Sequence, residues 1–312
     1  MIFAQMCGGL GNQMFEYAYA RALQRRLELP LCLDFSFFNI SDNVVHTPRD
    51  VSALFRYNIE YDDMIFAWSD VHARYGPRYA QHERFARAFD GIERAFGPSG
   101  RFLAERFCAS FENFLGVYLC EDRYIREFSS SRSAVMCSGY RQSERYFCDF
   151  SEDIRHELTL TDAIPFDLRS IYQRISGCSA VCVHVRRGDY TAPGVAEQHL
   201  VCTPKYYSDA AKYITSRVPG AVLFVFSDDI EWARANIFFE SEVVFVEQGH
   251  PAHEDLRLMS ACRHFVLSNS SFSWWAQYLS DGTDKLVCAP PHWFANGKKT
   301  DIYQSNWQLI DC

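Results

Sequence analysis

Ala180-Val-Cys-Val-His-Val185 is followed at once by Arg186-Arg-Gly-Asp-Tyr190. The first six residues read as a buried strand and the next five as a charged turn at its carboxyl end. Valines at alternate positions are stiff at χ1 and suit a pleated surface. The alternation sets His184 and Arg186 on one face and Val183 and Val185 on the other. Similar apolar runs recur at Ala221 to Phe226, Val243 to Val246, His264 to Leu267 and Lys285 to Ala289. Helix-like stretches lie between them. One begins at Thr203-Pro204, with proline at the first helical position. The others are Asp229 to Ile237, Glu254 to Cys262 and Phe272 to Leu279. Apolar strands alternating with helices predict a parallel, doubly wound α/β sheet.

The amino-terminal half starts the same way. Ile2-Phe-Ala-Gln-Met-Cys7 suits a strand, Gly8-Gly-Leu-Gly-Asn-Gln13 a tight turn, and Met14 to Leu27 a helix. A short strand follows at Leu31-Cys-Leu33. Residues 46 to 135 read as mostly helical with loops, including helices over His82 to Phe96 and Arg101 to Phe114. Ala134 to Cys137 reads as a strand and Glu152 to Leu158 as a helix. The stretch from Thr161 to Gly177, with Pro165, places a domain boundary that gives domains 1–165 and 166–312.

Composition narrows the function classes. The chain has 312 residues, 48% of them hydrophobic, and a net charge of −8, with no run of Lys or Arg. Nucleic acid is therefore not expected as a partner. No stretch approaches the roughly 18 apolar residues of a membrane span, and no signal peptide precedes the first strand. Peripheral membrane contact stays open. The 12 cysteines include no Cys-x-x-Cys pair, and several sit inside apolar runs. They read as buried thiols in a reducing cytoplasm rather than as a disulfide framework.

Ligands of open parallel sheets bind beyond the carboxyl ends of the strands. The residues at those ends in the second half are Arg186-Arg-Gly-Asp189, Ser227-Asp-Asp229, Glu247 and Ser268-Asn-Ser-Ser271. Adjacent arginines at a strand end can grip a diphosphate bidentately, or simply pair with Asp189. Asp228 or Asp229 can accept ribose or base donors, or cap the next helix. Asn269 or Ser270 can cap the helix of Ser271 and Phe272, whose amides suit a phosphate. Trp274 and Trp275 read as core or as a sugar platform. No Asp-x-Asp occurs. His250-Pro-Ala-His253-Glu254, the only histidine cluster, lacks metal-site spacing. Metal ligands are therefore not expected.

These pieces together resemble the bacterial α-1,2-fucosyltransferases of glycosyltransferase family 11. The matching stretches are Gly8 to Phe15, Gly139 to Phe147, His184 to Tyr190, Phe226 to Asp229, and Leu258 to Trp275, in family order. Two departures are Glu16, where Gln is usual, and Arg141, where an aromatic residue is common and which could alter acceptor choice. The resemblance implies a GT-B fold of two Rossmann-like domains facing a central cleft. It implies inverting, metal-independent transfer from GDP-β-L-fucose to the 2-hydroxyl of a β-galactoside, in an oligosaccharide or a lipid-linked glycan. It implies no cofactor beyond the donor, and a cytoplasmic bacterial enzyme working on precursors made at the inner membrane. A non-catalytic nucleotide-sugar-binding relative, or a different linkage on O-antigen precursors, are the rival readings. With the resemblance in hand, Arg186, Asp189 and His184 are the candidate catalytic residues. Asn12, Gly11, Arg187, Asp228, Ser270, Ser271 and Phe272 are the candidate donor-binding residues. Arg186 is expected to neutralise the β-phosphate as the sugar leaves. Asp189 orients an arginine or serves as general base, with Glu197 and His199 as rival bases. The acceptor is expected to be chosen by loops within residues 35–145.

Overall fold

The structure is a computed structural model that describes residues 1–39, 54–59, 64–67, 77–120 and 123–312. The chain forms two compact units. One comprises Met1–Thr159 with Thr300–Ile302, and the other Leu160–Lys299 with Tyr303–Cys312. Pro165, near which the sequence reading places the boundary, lies inside the second unit.

The first unit runs β1 (Ile2–Gln5), α1 (Leu10–Leu27), β2 (Leu31–Asp34), β3 (Met64–Ala67), α2 (Pro77–Leu115), β4 (Val117–Leu119), β5 (Val135–Ser138) and α3 (Ser151–Glu157). Its sheet is parallel throughout, in the order β3-β2-β1-β5-β4. Helix α1 is almost wholly buried, because Ala18, Ala20 and Ala22 let it lie close while Phe15, Tyr17 and Tyr19 fill the core. It stops at Glu28, whose left-handed backbone (φ 52) returns an N–H to the Gln24 carbonyl. The two helices expected over 82–96 and 101–114 are the two arms of α2, separated by the non-helical backbone of Gly97 (φ 71, ψ −179) before Pro98. Of the stretch read as helices and loops, residues 46–53, 60–63, 68–76 and 121–122 lie outside the described residues. The expected acceptor loops within 35–145 are covered in part for the same reason.

The second unit runs α4 (Arg169–Ser176), β6 (Ala180–Val185), α5 (Ala196–His199), α6 (Pro204–Thr215), β7 (Val222–Ser227), α7 (Ile230–Asn236), β8 (Val243–Phe245), α8 (Ala252–Ser260), β9 (His264–Val266), α9 (Ser271–Leu279), β10 (Val287–Ala289) and β11 (Gln308–Leu309). Its sheet is also all parallel, in the order β11-β10-β9-β6-β7-β8. Val181, Val183 and Val185 pack on one face against Tyr206, Tyr207, Ala210 and Ile214 of α6. Trp274 and Trp275 are fully buried and meet Tyr278, which makes them core and not a sugar platform. All twelve cysteines are free thiols.

Both strand orders contain a reversal. The first sheet grows outward from β1 to β3, crosses to the opposite edge at β4, and returns beside β1 with β5. The second grows from β6 to β8 and resumes beside β6 with β9. Connections leave such a pair of neighbours in opposite directions, so a crevice opens beyond their carboxyl ends. In the second unit that crevice lies between Arg186 and Ser268-Asn269-Ser270. In the first it lies between Gly8-Gly9 and Gly139 to Gln142.

Candidate functional site

The charged turn after β6 is tied down on every side. Arg186 Nη2 lies 2.7 Å from an Asp189 oxygen, and Nη1 lies 2.9 Å from Asp228 Oδ2. Asp228 Oδ1 accepts the backbone N–H of Arg187 at 2.8 Å. Gly188 is close enough that an added Cβ would sit 2.6 Å from Asp228 Oδ2, so any larger residue would displace that carboxylate. Burial works against the Arg186 charge, but Asp228 and Asp189 outweigh it and hold its pKa above the usual arginine range. Its side chain is still 35% exposed, so it remains within reach of a ligand. Arg187 turns aside. Its guanidinium lies over the Trp232 ring, 3.7 Å from the centroid, and 3.5 Å from Asp229.

The two guanidinium groups stand among three carboxylates, those of Asp189, Asp228 and Asp229. The turn is therefore not a plain cationic patch. Arg186 uses one nitrogen for each of its two carboxylates, and a guanidinium carries five N–H donors. The carboxylates fix its plane and leave further donors for a ligand. Asp189 thus orients Arg186, one of the two roles open to it in the sequence. Asp229 caps α7, accepting the Trp232 N–H at 3.2 Å. Asp228 is committed to the arginine pair, not held out toward a base or ribose.

His184 shares its face of β6 with the turn and crosses to the neighbouring strand. Its Nδ1 is 3.0 Å from Ser268 Oγ, and its ring lies 5.7 Å from that of Phe272. Burial pushes its pKa down to about 4, with Asp228 resisting and Arg186 assisting. It is a neutral brace between β6 and the β9–α9 turn. In that turn Ser270 is the N-cap, and its hydroxyl accepts the Phe272 N–H at 3.3 Å. The Ser270 N–H itself goes to the Ser268 carbonyl at 2.8 Å. The Phe272 amide is thus spent on the cap and the Ser270 amide on the turn, while Ser271 and Phe272 stay half-buried at the crevice.

Tyr190 and Trp293, given no role in the sequence, help Asn269 and His199 close the turn. Tyr190 donates its hydroxyl to the Asn269 carbonyl at 3.1 Å. Asn269 donates its amide to the carbonyls of His199 and Trp293 at 2.8 and 2.9 Å. The His199 ring packs against Tyr190, 5.0 Å between centroids. Burial lowers the His199 pKa, opposed by Asp189 and helped by Lys298. Glu197 is exposed. The His250–Glu254 cluster is spent locally, since His250 faces Asp255 at 3.1 Å. No group of three or more His, Cys, Asp or Glu side chains is arranged for a metal among the described residues.

The glycine turn of the first unit has its own supports. Gly8 takes a left-handed backbone (φ 72), with Asn12 Nδ2 packed where a Cβ would stand. Gln13 donates to the Gly8 carbonyl at 2.9 Å. Asn12 Oδ1 accepts from Gln142 Nε2 at 2.9 Å, joining the turn after β1 to the one after β5. Gly11 is buried in the first turn of α1. Glu16 accepts the Cys7 N–H at 2.8 Å and lies 2.9 Å from its thiol. Burial raises the Glu16 pKa well above the carboxylate range, against the lowering effect of these bonds. Arg141 is only 2% exposed. It lies over the rings of Tyr19 and Tyr146, at 4.4 and 5.2 Å, and near Glu127. It is a core strut, so an effect on acceptor choice would have to pass through the residues it supports.

The family model described as glycosyl transferase family 11 matches residues 118–311. An alpha-1,2-colitosyltransferase of Escherichia coli is 31% identical over 300 residues, covering 94% of this chain and 92% of that protein. The chain belongs to glycosyl transferase family 11. A galactoside alpha-(1,2)-fucosyltransferase 1 of Saimiri boliviensis boliviensis is 33% identical over 158 residues, 46% of this family 11 chain and 43% of the relative. Among solved structures, fucosyltransferase NodZ from Bradyrhizobium aligns with a TM-score of 0.54 at 17% identity. That alignment covers 88% of this chain and 91% of NodZ. The likeness is one of fold, and with the two parallel sheets it identifies this family 11 protein as GT-B.

Proposed function

We propose that this glycosyltransferase moves L-fucose from GDP-β-L-fucose to the 2-hydroxyl of a β-galactoside, with inversion and without a metal ion. The observation that carries the reading is Arg186, fixed by two carboxylates at the β6/β9 crevice. As the sugar–phosphate bond breaks, charge grows on the leaving β-phosphate. A guanidinium already oriented there stabilises it without reorganising. Asp189 and Asp228 hold that guanidinium. The proton of the acceptor hydroxyl then goes to His199 or Glu197, because Asp189 is occupied. The α-1,2 linkage draws on the relatives, whose names give an α-1,2 transfer on both the bacterial and the primate side.

One specific observation favours a second donor. A relative that aligns over nearly the whole chain is a colitosyltransferase, and colitose is fucose without its 3-hydroxyl. A site that hydrogen-bonds that hydroxyl rejects the deoxy sugar by several orders of magnitude, whereas an apolar site discriminates weakly.

The test is to supply lactose with GDP-fucose or with GDP-colitose, each with and without EDTA, and to determine product linkage by NMR. The expected result is an α-1,2-fucosylated trisaccharide and free GDP, unchanged by EDTA. Product from GDP-colitose alone would replace the donor. Loss of activity in EDTA would remove the metal-free claim. Binding of GDP-fucose without turnover on any galactoside would leave a non-catalytic relative.

A further inference from the structure

Helix α2 is inside out after its kink. The side chains it buries are Ala109 and the polar Arg101, Glu105, Glu112 and Asn113. Arg101 lies 2.7 Å from Glu105 and from Asp90, and 3.0 Å from Glu93. The side chains it turns outward are Leu103, Phe107, Phe111 and Phe114. Spaced four, four and three residues apart, they form a single stripe along the helix. Phe107 is 89% exposed, and Phe96, just before the kink, is 75% exposed. Phe128, from the segment before β5, is exposed as well. A contiguous row of bare phenyl rings over a charged interior is the reverse of a water-facing helix.

Asp90 and Glu93, before the kink, are paired with Arg101, and the exposed charges beside the stripe itself are basic. From Arg94 to Phe114 the exposed ionic side chains are Arg94 and Arg106, and both carboxylates, Glu105 and Glu112, are buried. Arg126 is exposed with its guanidinium 5.9 Å from the Phe128 ring, and Arg132 lies 5.2 Å from the Phe114 ring. The whole chain carries a net charge of −8, so this basic rim is local and runs against the average. Phenylalanine and leucine on one face, flanked by arginine and free of exposed acid, is the pattern of a helix that lies in a lipid interface.

We propose that the Leu103–Phe114 face of α2 docks the protein on an anionic phospholipid surface. The phenyl rings enter the boundary of the acyl chains, and Arg94, Arg106, Arg126 and Arg132 meet the headgroups. No described helix is long and apolar enough to cross a membrane, so the contact is with one leaflet. This proposal stands on the first unit alone and does not depend on the donor or acceptor assigned above.

Vesicle co-sedimentation tests it, using the full chain with phosphatidylethanolamine/phosphatidylglycerol vesicles and with pure phosphatidylcholine vesicles. Binding is expected to the anionic vesicles and to weaken as salt is raised. The double substitution Phe107→Ser/Phe111→Ser is expected to weaken it about a hundredfold, the scale of two buried aromatic side chains. Its circular dichroism spectrum and turnover of a water-soluble acceptor should match wild type. Three outcomes overturn the proposal: no sedimentation with anionic vesicles, equal binding to both vesicle types at all salt concentrations, or a dimer in analytical ultracentrifugation that the double variant dissolves.

Discussion

Asp228 Oδ2 lies 2.9 Å from Arg186 Nη1, while the other oxygen of the same carboxylate holds the Arg187 backbone. One aspartate on β7's exit therefore sets the aim of the arginine on β6's exit. Lysine offers a point charge and no fork, so it cannot be held by Asp189 and Asp228 together. Arg186→Lys should lower kcat by about 10², the scale of losing one preorganised donor. Asp228→Asn keeps an acceptor for the Arg187 amide and loses the charge facing Arg186. It should lower kcat by roughly tenfold, on the scale of a lost positioning contact. Steady-state kinetics on both variants checks this, and wild-type kcat in Arg186→Lys would end the assignment.

Gly188→Ala tests the same junction without touching a charge. Its Cβ would fall 2.6 Å from Asp228 Oδ2, so the carboxylate must leave Arg186. We expect about a tenfold loss of kcat/KM and a destabilisation of about 1–3 kcal/mol from overpacking. Thermal melts and kinetics measured together would show either change, and a silent variant would mean the turn is looser than described.

Stability should fall in acid through two histidines. Burial lowers His82 and His184 to about 4, from an ordinary value of 6.5. The folded state keeps them neutral and the unfolded state does not. Their contribution is therefore complete above pH 6.5 and is lost as pH drops toward 4. Each can contribute up to on the order of 3 kcal/mol. Melting temperature recorded from pH 7.5 to 4 should decline across that window. The decline should be shallower in His184→Gln, and an unchanged profile in that variant would contradict the reading.

Glu16 predicts the opposite slope. Its pKa is raised, so it favours folding below its ordinary value of 4.5 and penalises folding as pH rises. Gln at this position keeps an acceptor for the Cys7 N–H and carries no charge. Glu16→Gln should match or exceed the wild-type melting temperature at pH 8. Glu16→Leu should lose about 1–3 kcal/mol by stranding that N–H. A marked drop in the Gln variant would show that the ionised carboxylate itself is needed.

Much of this was legible in the residues. The valines of β6, the Thr203 cap before Pro204 and the Asp229 cap before α7 act as their side chains dictate. The clustering of Arg186, Asp228 and Ser268 also followed from strand ends alone. Pairwise commitments did not. That Asp228 serves Arg186 and not a ligand depends on register between β6 and β7, which no local pattern states. Strand β4 was missed because Val117–Leu119 follows α2 with only Gly116 between. Strand β11 is two residues long. The buried face of α2 could not be read from the residues, because its apolar periodicity points outward.

The three residues Thr300–Ile302 belong to the first unit although the chain on both sides belongs to the second. Asp301 accepts the Tyr124 N–H at 2.8 Å and lies 3.5 Å from Arg123, and Ile302 is buried. A ribosome therefore releases this last piece of the first unit only after Leu160–Lys299 of the second unit have been made. The nascent amino-terminal half must wait, incomplete, for a contact that spans 177 positions. Cutting the gene at the apparent boundary would leave that half permanently short of its final stitch.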